Sequence, residues 1–339
     1  MEYGGSVRQR WRGTSRFQRG RYAVRIRSIL TPPGNFPEYI HDVAEGMTAL
    51  YGEAAGAAYR RIAPKAVEAT MRANDVITYC AEVDGAAAGM AMALCRDDRG
   101  RLPFIHVLRP YQGTGVEGRL IRKAVRVLRA GGVSAIHCEC IPFCELDLRG
   151  SFERLGFTAF PRQLMMANTE LLSNLGTGVS RSAPCGPLDL RGAAAAIADA
   201  YKRHPERELH PDVRDAVSAE EYVRGALQGA YGPCLPEYVR VVRGPDGIRG
   251  VIVGCEVAPG VGFVLQVAVR PDAQNQGLGR TLIGDLASCL LKRGMKRTAL
   301  GVTIGNPARD LYLRLGFEPL RDVDAFVWTH PGGGRAGCP

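Results

Sequence analysis

The sequence has no apolar run that approaches the roughly 18 residues a membrane-spanning helix needs. No apolar N-terminal segment precedes a small-residue cleavage site either, so a secretory leader is not indicated. These two absences exclude a spanning helix and a secretory route. The sequence therefore predicts a cytoplasmic protein with no membrane partner.

Lysine is scarce, at positions 65, 123, 202, 292 and 296 alone, although Lys and Arg together outnumber Asp and Glu by 44 to 34. The first 27 residues contain eight arginines and one acidic residue, Glu2, so about +7 of the net charge of +10 lies there. The remaining chain is close to balanced. Because nucleic-acid binding needs a basic surface, this distribution disfavours nucleic acid as the main substrate.

Residues 1–30 are rich in arginine, with Trp11, Phe17 and Tyr22 interleaved, and show no periodicity that would bury one face. The composition predicts a disordered, solvated arm. Two alternatives stay open: an arm that contacts nucleic acid through arginine and stacked aromatics, and a transit peptide or an upstream start. Nucleic acid is thus a possible partner only through this arm.

The ten cysteines do not predict a disulfide framework, because this chain is neither small nor secretory. Most lie in apolar contexts, where cysteine acts as a small hydrophobic residue. The cluster of Cys138, Cys140 and Cys144 lacks a matching distant pair of cysteines or histidines. We therefore predict thiols and no metal.

Residues 263–292 are the segment around which the chain is organised. A β-branched run at 263–269 breaks at Pro271, passes through a loop containing Gly277 and Gly279, and continues with helical periodicity. A glycine loop at a helix N-terminus presents unpaired N–H groups to a phosphate or pyrophosphate. The loop lacks both G-x-G-x-x-G and a Gly-Lys-Ser/Thr ending, which disfavours dinucleotide and triphosphate folds.

The pattern V-x-V-R-P-x-x-Q-x-x-G-x-G that remains resembles the acyl-CoA loop of the GNAT superfamily of N-acetyltransferases. A second signature of that family follows about one strand later, as Asn306-Pro307-Ala308-Arg309-Asp310-Leu311-Tyr312 and then Leu315-Gly316-Phe317. Two motifs in the right order make the resemblance more specific than either motif alone.

The chain repeats this pattern internally. Residues 154–157 and 314–317 are both Arg-Leu-Gly-Phe, and Arg109-Pro110 repeats Arg270-Pro271, at offsets of 160 and 161 residues. In the first copy, Val116 replaces Gly277 or Glu117 replaces Gly279, according to the alignment, and Phe152 stands in place of Tyr312. We expect a non-catalytic first copy, because a side chain blocks close approach of a pyrophosphate and a carboxylate repels it.

The predicted fold class is α/β, with two tandem GNAT-like domains, each a twisted mixed sheet flanked by helices. The predicted boundaries are a disordered arm (1–30), a degenerate N-terminal domain (31–171), a linker rich in Ser, Gly and Pro (172–189), a catalytic C-terminal domain (190–330) and a tail (331–339).

The resemblance implies acetyl-CoA as cosubstrate, lying where the strand at 263–269 splays from the strand at 298–304. The backbone of Val267, Ala268 and Val269 would pair with the pantetheine amides, and Asn306 would hydrogen-bond the same arm. The pyrophosphate would bind to the loop and first helical turn, formed by Gln274, Asn275, Gln276, Gly277, Leu278, Gly279 and Arg280. Tyr312 would be the general acid that protonates the leaving thiolate.

The base that deprotonates the acceptor amine is predicted less directly. Glu256 lies late on the preceding strand, where a carboxylate faces the acceptor in this fold. His204, Glu208 and His210 are alternatives in a polar stretch that borders the acceptor pocket, and relay through water also remains open.

The predicted function is transfer of acetyl from acetyl-CoA to a primary amine of a small metabolite, in biosynthetic tailoring or antibiotic self-resistance. The tandem architecture is similar to that of the mycothiol synthases, which favours a cysteinyl glycoside as an alternative acceptor. However, Phe263 stands where those enzymes carry a catalytic glutamate. A non-catalytic CoA-binding regulator and a nucleic-acid-associated acetyltransferase are further alternatives, and the chain is expected to be a monomer or homodimer.

Overall fold

The computed structural model describes residues 23–96, 98–139, 146, 148–175, 182–204 and 206–331. We call residues 23–175 the first half and residues 182–331 the second half. In the first half the elements are β1 (Val24–Ile29), α1 (Phe36–Tyr51), α2 (Glu53–Met71), β2 (Val76–Val83), β3 (Ala86–Arg96), β4 (Arg99–Val107), α3 (Val116–Ala130), β5 (Ala135–Glu139), α4 (Arg149–Glu153), β6 (Thr158–Asn168) and α5 (Thr169–Ser173).

The second half repeats much of this order. Its elements are β7 (Ala183–Pro184), α6 (Leu190–Tyr201), α7 (Ala216–Leu227), β8 (Val239–Gly244), β9 (Gly247–Ala258), β10 (Val261–Val269), α8 (Leu278–Lys292), β11 (Arg297–Thr303), α9 (Ala308–Arg314) and β12 (Glu318–Thr329). Short 3-10 turns precede α3 and α8, at Arg109–Tyr111 and Pro271–Ala273.

All these strands form one mixed sheet in the order β1-β2-β3-β4-β5-β12-β6-β11-β10-β9-β8-β7. The halves exchange their last strands: β12 pairs with β5 of the first half, and β6 pairs with β11 of the second. Strands β6 and β12 also pair with each other, antiparallel, from Glu318–Met166 to Val327–Thr158. The two halves therefore share one sheet through crossed strands.

Helices cover both faces of the sheet, because alternate strand residues point to opposite sides. In the second half, α8 packs through Leu282 and Leu286 on one face, while α6 and α7 pack through Ile197 and Val223 on the other. The first half repeats this, with α3 on one face and α1 and α2 on the other. This mixed sheet flanked by helices confirms the predicted fold class.

Two strands of the second half separate where the cofactor was predicted to bind. The parallel pairing of β10 with β11 runs from Val261–Arg297 to Val264–Leu300 and stops there, although both strands continue. Beyond that point β10 pairs with β9 and β11 with β6, each on its other edge. The first half diverges in the same way, after Arg101–His137.

The predicted disordered arm (1–30) is corrected at its C-terminal end. Val24–Ile29 form β1, which pairs with β2 from Val24–Val83 to Ile29–Thr78. Val24 and Ile26 pack on the first-half core, and Arg27 donates to Glu82 at 2.7 Å. The alternation of apolar and basic residues at 24–27 is thus that of a strand at the edge of the sheet, with one face on the core and the other in solvent. The rest of the arm, residues 1–22, lies outside the described residues.

The structure also corrects one point on cysteine. Six described cysteines are free thiols, at positions 80, 138, 185, 234, 255 and 289. Cys95 differs from them, because it is disulfide-bonded. Cys140 and Cys144, which belong to the cluster considered above, lie outside the described residues.

Candidate functional site

Helix α8 begins at a glycine loop in which two glutamine side chains hydrogen-bond back to the protein. Gly277 is the N-cap and has a φ of 78°, a left-handed conformation that favours glycine. Gln274 donates to the carbonyl of Val269 at 3.2 Å, and Gln276 accepts from Arg249 at 2.8 Å. The loop therefore offers its backbone outward, at the end of the helix where N–H groups lack intrahelical partners.

The corresponding loop of the first half has the same geometry but a different lining. Gln112 donates to Val107 at 2.9 Å, as Gln274 does to Val269, and Gly115 caps α3 in the left-handed region as Gly277 caps α8. This equivalence decides between the two alignments: Glu117 replaces Gly279. The Oε2 atom of Glu117 is buried without a hydrogen-bond partner among the described residues.

A cavity of about 190 Å³ lies between the separating strands β10 and β11, and we call it the gap cavity. Of the predicted site residues, it is lined by Val267, Ala268, Val269, Gln274, Asn306 and Tyr312. The other predicted residues, Asn275 to Arg280, form the adjoining loop and first turn of α8. The structure thus brings together one strand edge, one helix start and one tyrosine.

Tyr312 is buried on α9, and its ring meets that of Phe317 edge-on at 5.8 Å. Burial raises the pKa of the Tyr312 phenol well above its usual range, so the hydroxyl keeps its proton at neutral pH. In the first half, Phe152 takes the corresponding position and stacks on Phe326 of β12 at 4.3 Å. A fully buried phenylalanine pair therefore occupies the equivalent place in the first half.

A second cavity, of about 280 Å³, lies where the two halves meet, and we call it the seam cavity. The first half contributes Arg101, Leu102, Pro103, His137, Cys138, Glu139 and Arg162, and the second half contributes the rest of the wall. The two cavities share lining residues, namely Arg162, His210, Val264, Leu265, Gln266 and Gly301. They therefore adjoin at the separation of β10 and β11.

Comparison with known proteins agrees with this geometry. A model of the acetyltransferase (GNAT) family matches residues 44–157, and a model of FR47-like proteins matches residues 247–328. The chain belongs to the GNAT superfamily. A curated relative is the ribosomal protein bS18-alanine N-acetyltransferase of Haemophilus influenzae, 31% identical over 81 residues. That match covers 24% of this chain and 55% of the relative, so it spans about half of the curated protein's length.

Solved structures of GNAT proteins show the same fold over almost the whole chain. A GCN5-related N-acetyltransferase from Sphaerobacter thermophilus is 16% identical, with a TM-score of 0.59 over 90% of this chain and 95% of that one. A tandem GNAT protein from the clavulanic acid biosynthesis pathway is 12% identical, with a TM-score of 0.55 over 90% and 98%. Two GNAT-like halves in one chain are thus a known arrangement.

Glu256, the base predicted for this GNAT protein, lies away from both cavities. Glu256 accepts a hydrogen bond from the hydroxyl of Tyr238 at 2.8 Å, and it is not among the residues that line the gap cavity or the seam cavity. Among the alternatives, His204 and His210 line the gap cavity, whereas Glu208 lines neither cavity. We therefore do not retain Glu256 as the base.

Sequence reasoning missed the carboxylate that does lie in the GNAT gap cavity, Glu206. It is 6% exposed, lies 3.4 Å from Nε2 of His210 and accepts from Nδ2 of Asn306 at 2.7 Å. Burial alone raises the pKa of Glu206, but His210 and Asn306 outweigh it and hold that pKa below its usual range. The i, i+4 spacing of Glu206 and His210 in the sequence is the one feature that could have indicated that these two side chains pair.

The side chain of Asn306, predicted to hydrogen-bond pantetheine, also makes contacts within the protein. Its Nδ2 donates to Glu206, and its Oδ1 accepts from the backbone N–H of Ala308 at 2.9 Å, at the start of α9. Both polar atoms of the side chain are thus engaged within the protein. The geometry favours a role in holding Glu206 over the predicted hydrogen bond to pantetheine.

The described part of the chain holds no group of three or more potential metal ligands. Within the same residues, no helix combines the length and hydropathy that crossing a membrane requires.

Proposed function

We propose that this GNAT protein transfers acetyl from acetyl-CoA to a primary amine of a small metabolite, in its second half. The observation that carries the proposal is the gap cavity, which is lined by a free strand edge and a protonated tyrosine and adjoins the glycine start of α8. The adjoining seam cavity supplies room for an acceptor. Acetyl-CoA brings the activated thioester, and the chain supplies binding and proton transfer.

The residues present fit an acyl-CoA. The edge of β10 at residues 267–269 has no β11 partner, so a ligand's amides could pair with it as a strand would, although the carbonyls of Val267 and Val269 already accept side-chain hydrogen bonds from Gln266 and Gln274. At Gly279, the nearest atom to an added Cβ would be Cδ2 of Leu311, at 3.5 Å. This face of the first turn of α8 is therefore open to a ligand. The helix start and Arg280 would then bind the pyrophosphate.

Two residues that line the gap cavity, His210 and Tyr312, carry out the proton transfers. As the amine nitrogen bonds to the acyl carbon, its proton passes to His210, which Glu206 orients. As the carbon–sulfur bond breaks, the Tyr312 hydroxyl donates its proton to the departing sulfur. His210 suits the base because it lines both cavities, whereas Glu206 lines the gap cavity alone.

The proposed activity is tested by following release of the CoA thiol. Acetyl-CoA is incubated with the protein and with amines of different classes: amino acids, aminoglycosides, polyamines, cysteinyl glycosides and peptide N-termini. Acceptor-dependent thiol release, with the acetylated amine identified by mass spectrometry, is the expected result. Tight acetyl-CoA binding with no release for any class would favour a CoA-binding regulator instead.

We expect His210→Asn to lower kcat/KM about 10²- to 10³-fold, the usual contribution of a positioned general base. Acetyl-CoA affinity by calorimetry should stay within a few-fold. The matched control is His41→Asn on α1, because His41 is 62% exposed and lines neither cavity. Near-normal turnover by His210→Asn would remove His210 from the mechanism.

Deletion of residues 1–22 should leave kcat/KM for a small amine within a few-fold. The deletion removes six of the arginines and keeps β1, which a longer deletion to residue 27 would destroy. Retention on heparin should fall and lose its salt dependence, since it rests on these charges. A collapse in turnover would show that residues 1–22 belong to the active site.

A further inference from the structure

We propose that the acceptor is an α-amino acid, whose carboxylate binds Arg162 while its amine faces Glu206 and His210. The inference rests on the proposed function and names its substrate class. It assigns to the first half a direct part in substrate recognition, because Arg162 lies on β6.

Arg162 has the properties of an anion-binding residue. It is 8% exposed and lines both cavities. Its Nη1 donates to Glu139 at 2.7 Å and its Nη2 to the carbonyl of Gly301 at 3.2 Å, while its Nε is buried with no partner among the described residues. A buried donor without a partner is energetically costly, and a guanidinium with unused N–H groups can donate them to a carboxylate.

The ion partner of Arg162 in the free protein is weakly placed. The side chain of Glu139 is 65% exposed, whereas that of Arg162 is 9% exposed. Water screens an exposed carboxylate, so this pair contributes little. The guanidinium is instead positioned by its hydrogen bond to the carbonyl of Gly301, a residue at which an added Cβ would lie 3.2 Å from Nη2. Arg162 is therefore held in place by a backbone carbonyl, and the carboxylate with which it forms an ion pair, that of Glu139, is an exposed one.

A negative charge faces the same space. Glu206 also lines the gap cavity, and both Glu206 and Arg162 act electrostatically on the Tyr201 and Tyr312 hydroxyl groups. Opposite charges around one small space complement a ligand that carries both an amine and a carboxylate. A polyamine would meet the positive charge of Arg162, and a neutral amine would leave that charge without a ligand.

The seam cavity is shaped for an uncharged side chain. Apart from Arg162 and Glu139, its Arg and Asp side chains are paired with each other, since Arg101 donates to Asp212. Burial, with Arg101 next, lowers the pKa of His137 to about 4, so this ring is neutral at pH 7. The remaining wall is largely apolar or aromatic: Leu102, Leu209, Val213, Tyr222, Phe263 and Phe326. Leucine and phenylalanine are therefore suitable probes.

The test compares acceptors that differ only at the carboxylate. Thiol release is measured with phenylalanine, phenylalaninamide and 2-phenylethylamine, and with the leucine counterparts. The free acids should exceed the amides and amines in kcat/KM by about 10²-fold or more, because a buried polar group built for a ligand discriminates strongly against analogues that lack it. Calorimetry with CoA present measures binding of the same compounds without turnover.

Arg162→Gln should reduce the ratio between acid and amide to near one, mainly through KM for the acid, and leave acetyl-CoA affinity unchanged. Arg162→Lys should restore part of the ratio. The matched control is Arg149→Gln, which removes an ion pair between α4 and Asp324 outside both cavities. That variant should keep the wild-type ratio.

Equal turnover of acid and amide by the wild-type protein would overturn the inference and leave the proposed function intact. An equal loss for all acceptors in Arg162→Gln would also overturn it, since a structural role predicts that result. Conversely, selective binding of the acids without thiol release would support the inference and contradict the proposed function. The wild-type ratio decides the matter even if the variant does not fold.

Discussion

Gly279→Glu should fold as the wild-type protein does and lose measurable binding of acetyl-CoA. The first half carries glutamate at the equivalent position, Glu117, within a helix start of the same geometry. A carboxylate about 4 Å from a phosphate charge costs roughly 4 kcal/mol near a protein surface, which is about a thousand-fold in affinity. Calorimetry with acetyl-CoA measures the loss, and thermal unfolding measures the fold.

Gly279→Ala is the matched control. Its added Cβ would make ordinary contact with Leu311 at 3.5 Å, so affinity should fall by less than about ten-fold. Gly277 is a poorer target, because its left-handed φ makes any side chain strained whatever the ligand does. If Gly279→Glu binds normally and Glu117→Gly alters binding, the cofactor site belongs to the first half.

Tyr312→Phe should lose kcat by about two orders of magnitude, near 3 kcal/mol in the transition state, with acetyl-CoA affinity almost unchanged. Phenylalanine keeps the edge-on contact with Phe317 and removes only the hydroxyl. Because thiolate charge develops only as the acyl group leaves, the loss should appear in kcat rather than in binding. Steady-state kinetics and calorimetry separate the two.

Tyr238→Phe provides the comparison, since it removes another buried hydroxyl of the second half. That hydroxyl donates to Glu256, which lies outside both cavities, so turnover should stay near wild type. If Tyr238→Phe and Glu256→Gln lose activity while Tyr312→Phe retains it, Tyr312 would not be the acid. Glu256 rather than His210 would then be the base.

Local patterns were enough to predict most elements. The segment at 263–269 is β10, the periodic run after Gly277 is α8, and the predicted strand at 298–304 is β11. Each of these depends on residues within one turn or strand. By contrast, no local pattern indicates that β6 lies beside β11, because exchange of two equivalent strands leaves every such pattern unchanged.

The candidate site divides in the same way. The loop and Tyr312 belong to contiguous motifs, and Gln274 of the loop lines the same cavity as Tyr312. Arg162 comes from 150 residues before Tyr312, on a strand that only the exchange brings to β11. Glu206 lies in an irregular polar stretch where several titratable residues looked equivalent, and only its contact with Asn306 distinguishes it.

The exchanged strands also affect the order in which the chain can fold during synthesis. Strand β5 pairs with β4 on one edge, but its other edge is unpaired until β12 is present, about 190 residues later, so the first half cannot complete its sheet as an independent early unit. Strand β6 likewise cannot pair with β11 until the second half has been synthesised. The strand pairs that join the halves all connect residues far apart in the sequence. Such contacts form slowly, since closure of a long loop precedes any gain from pairing. Both halves should therefore reach their native structure together, after residues 318–329 have left the ribosome. A chain that stops at residue 317 would form two incomplete sheets rather than one complete half.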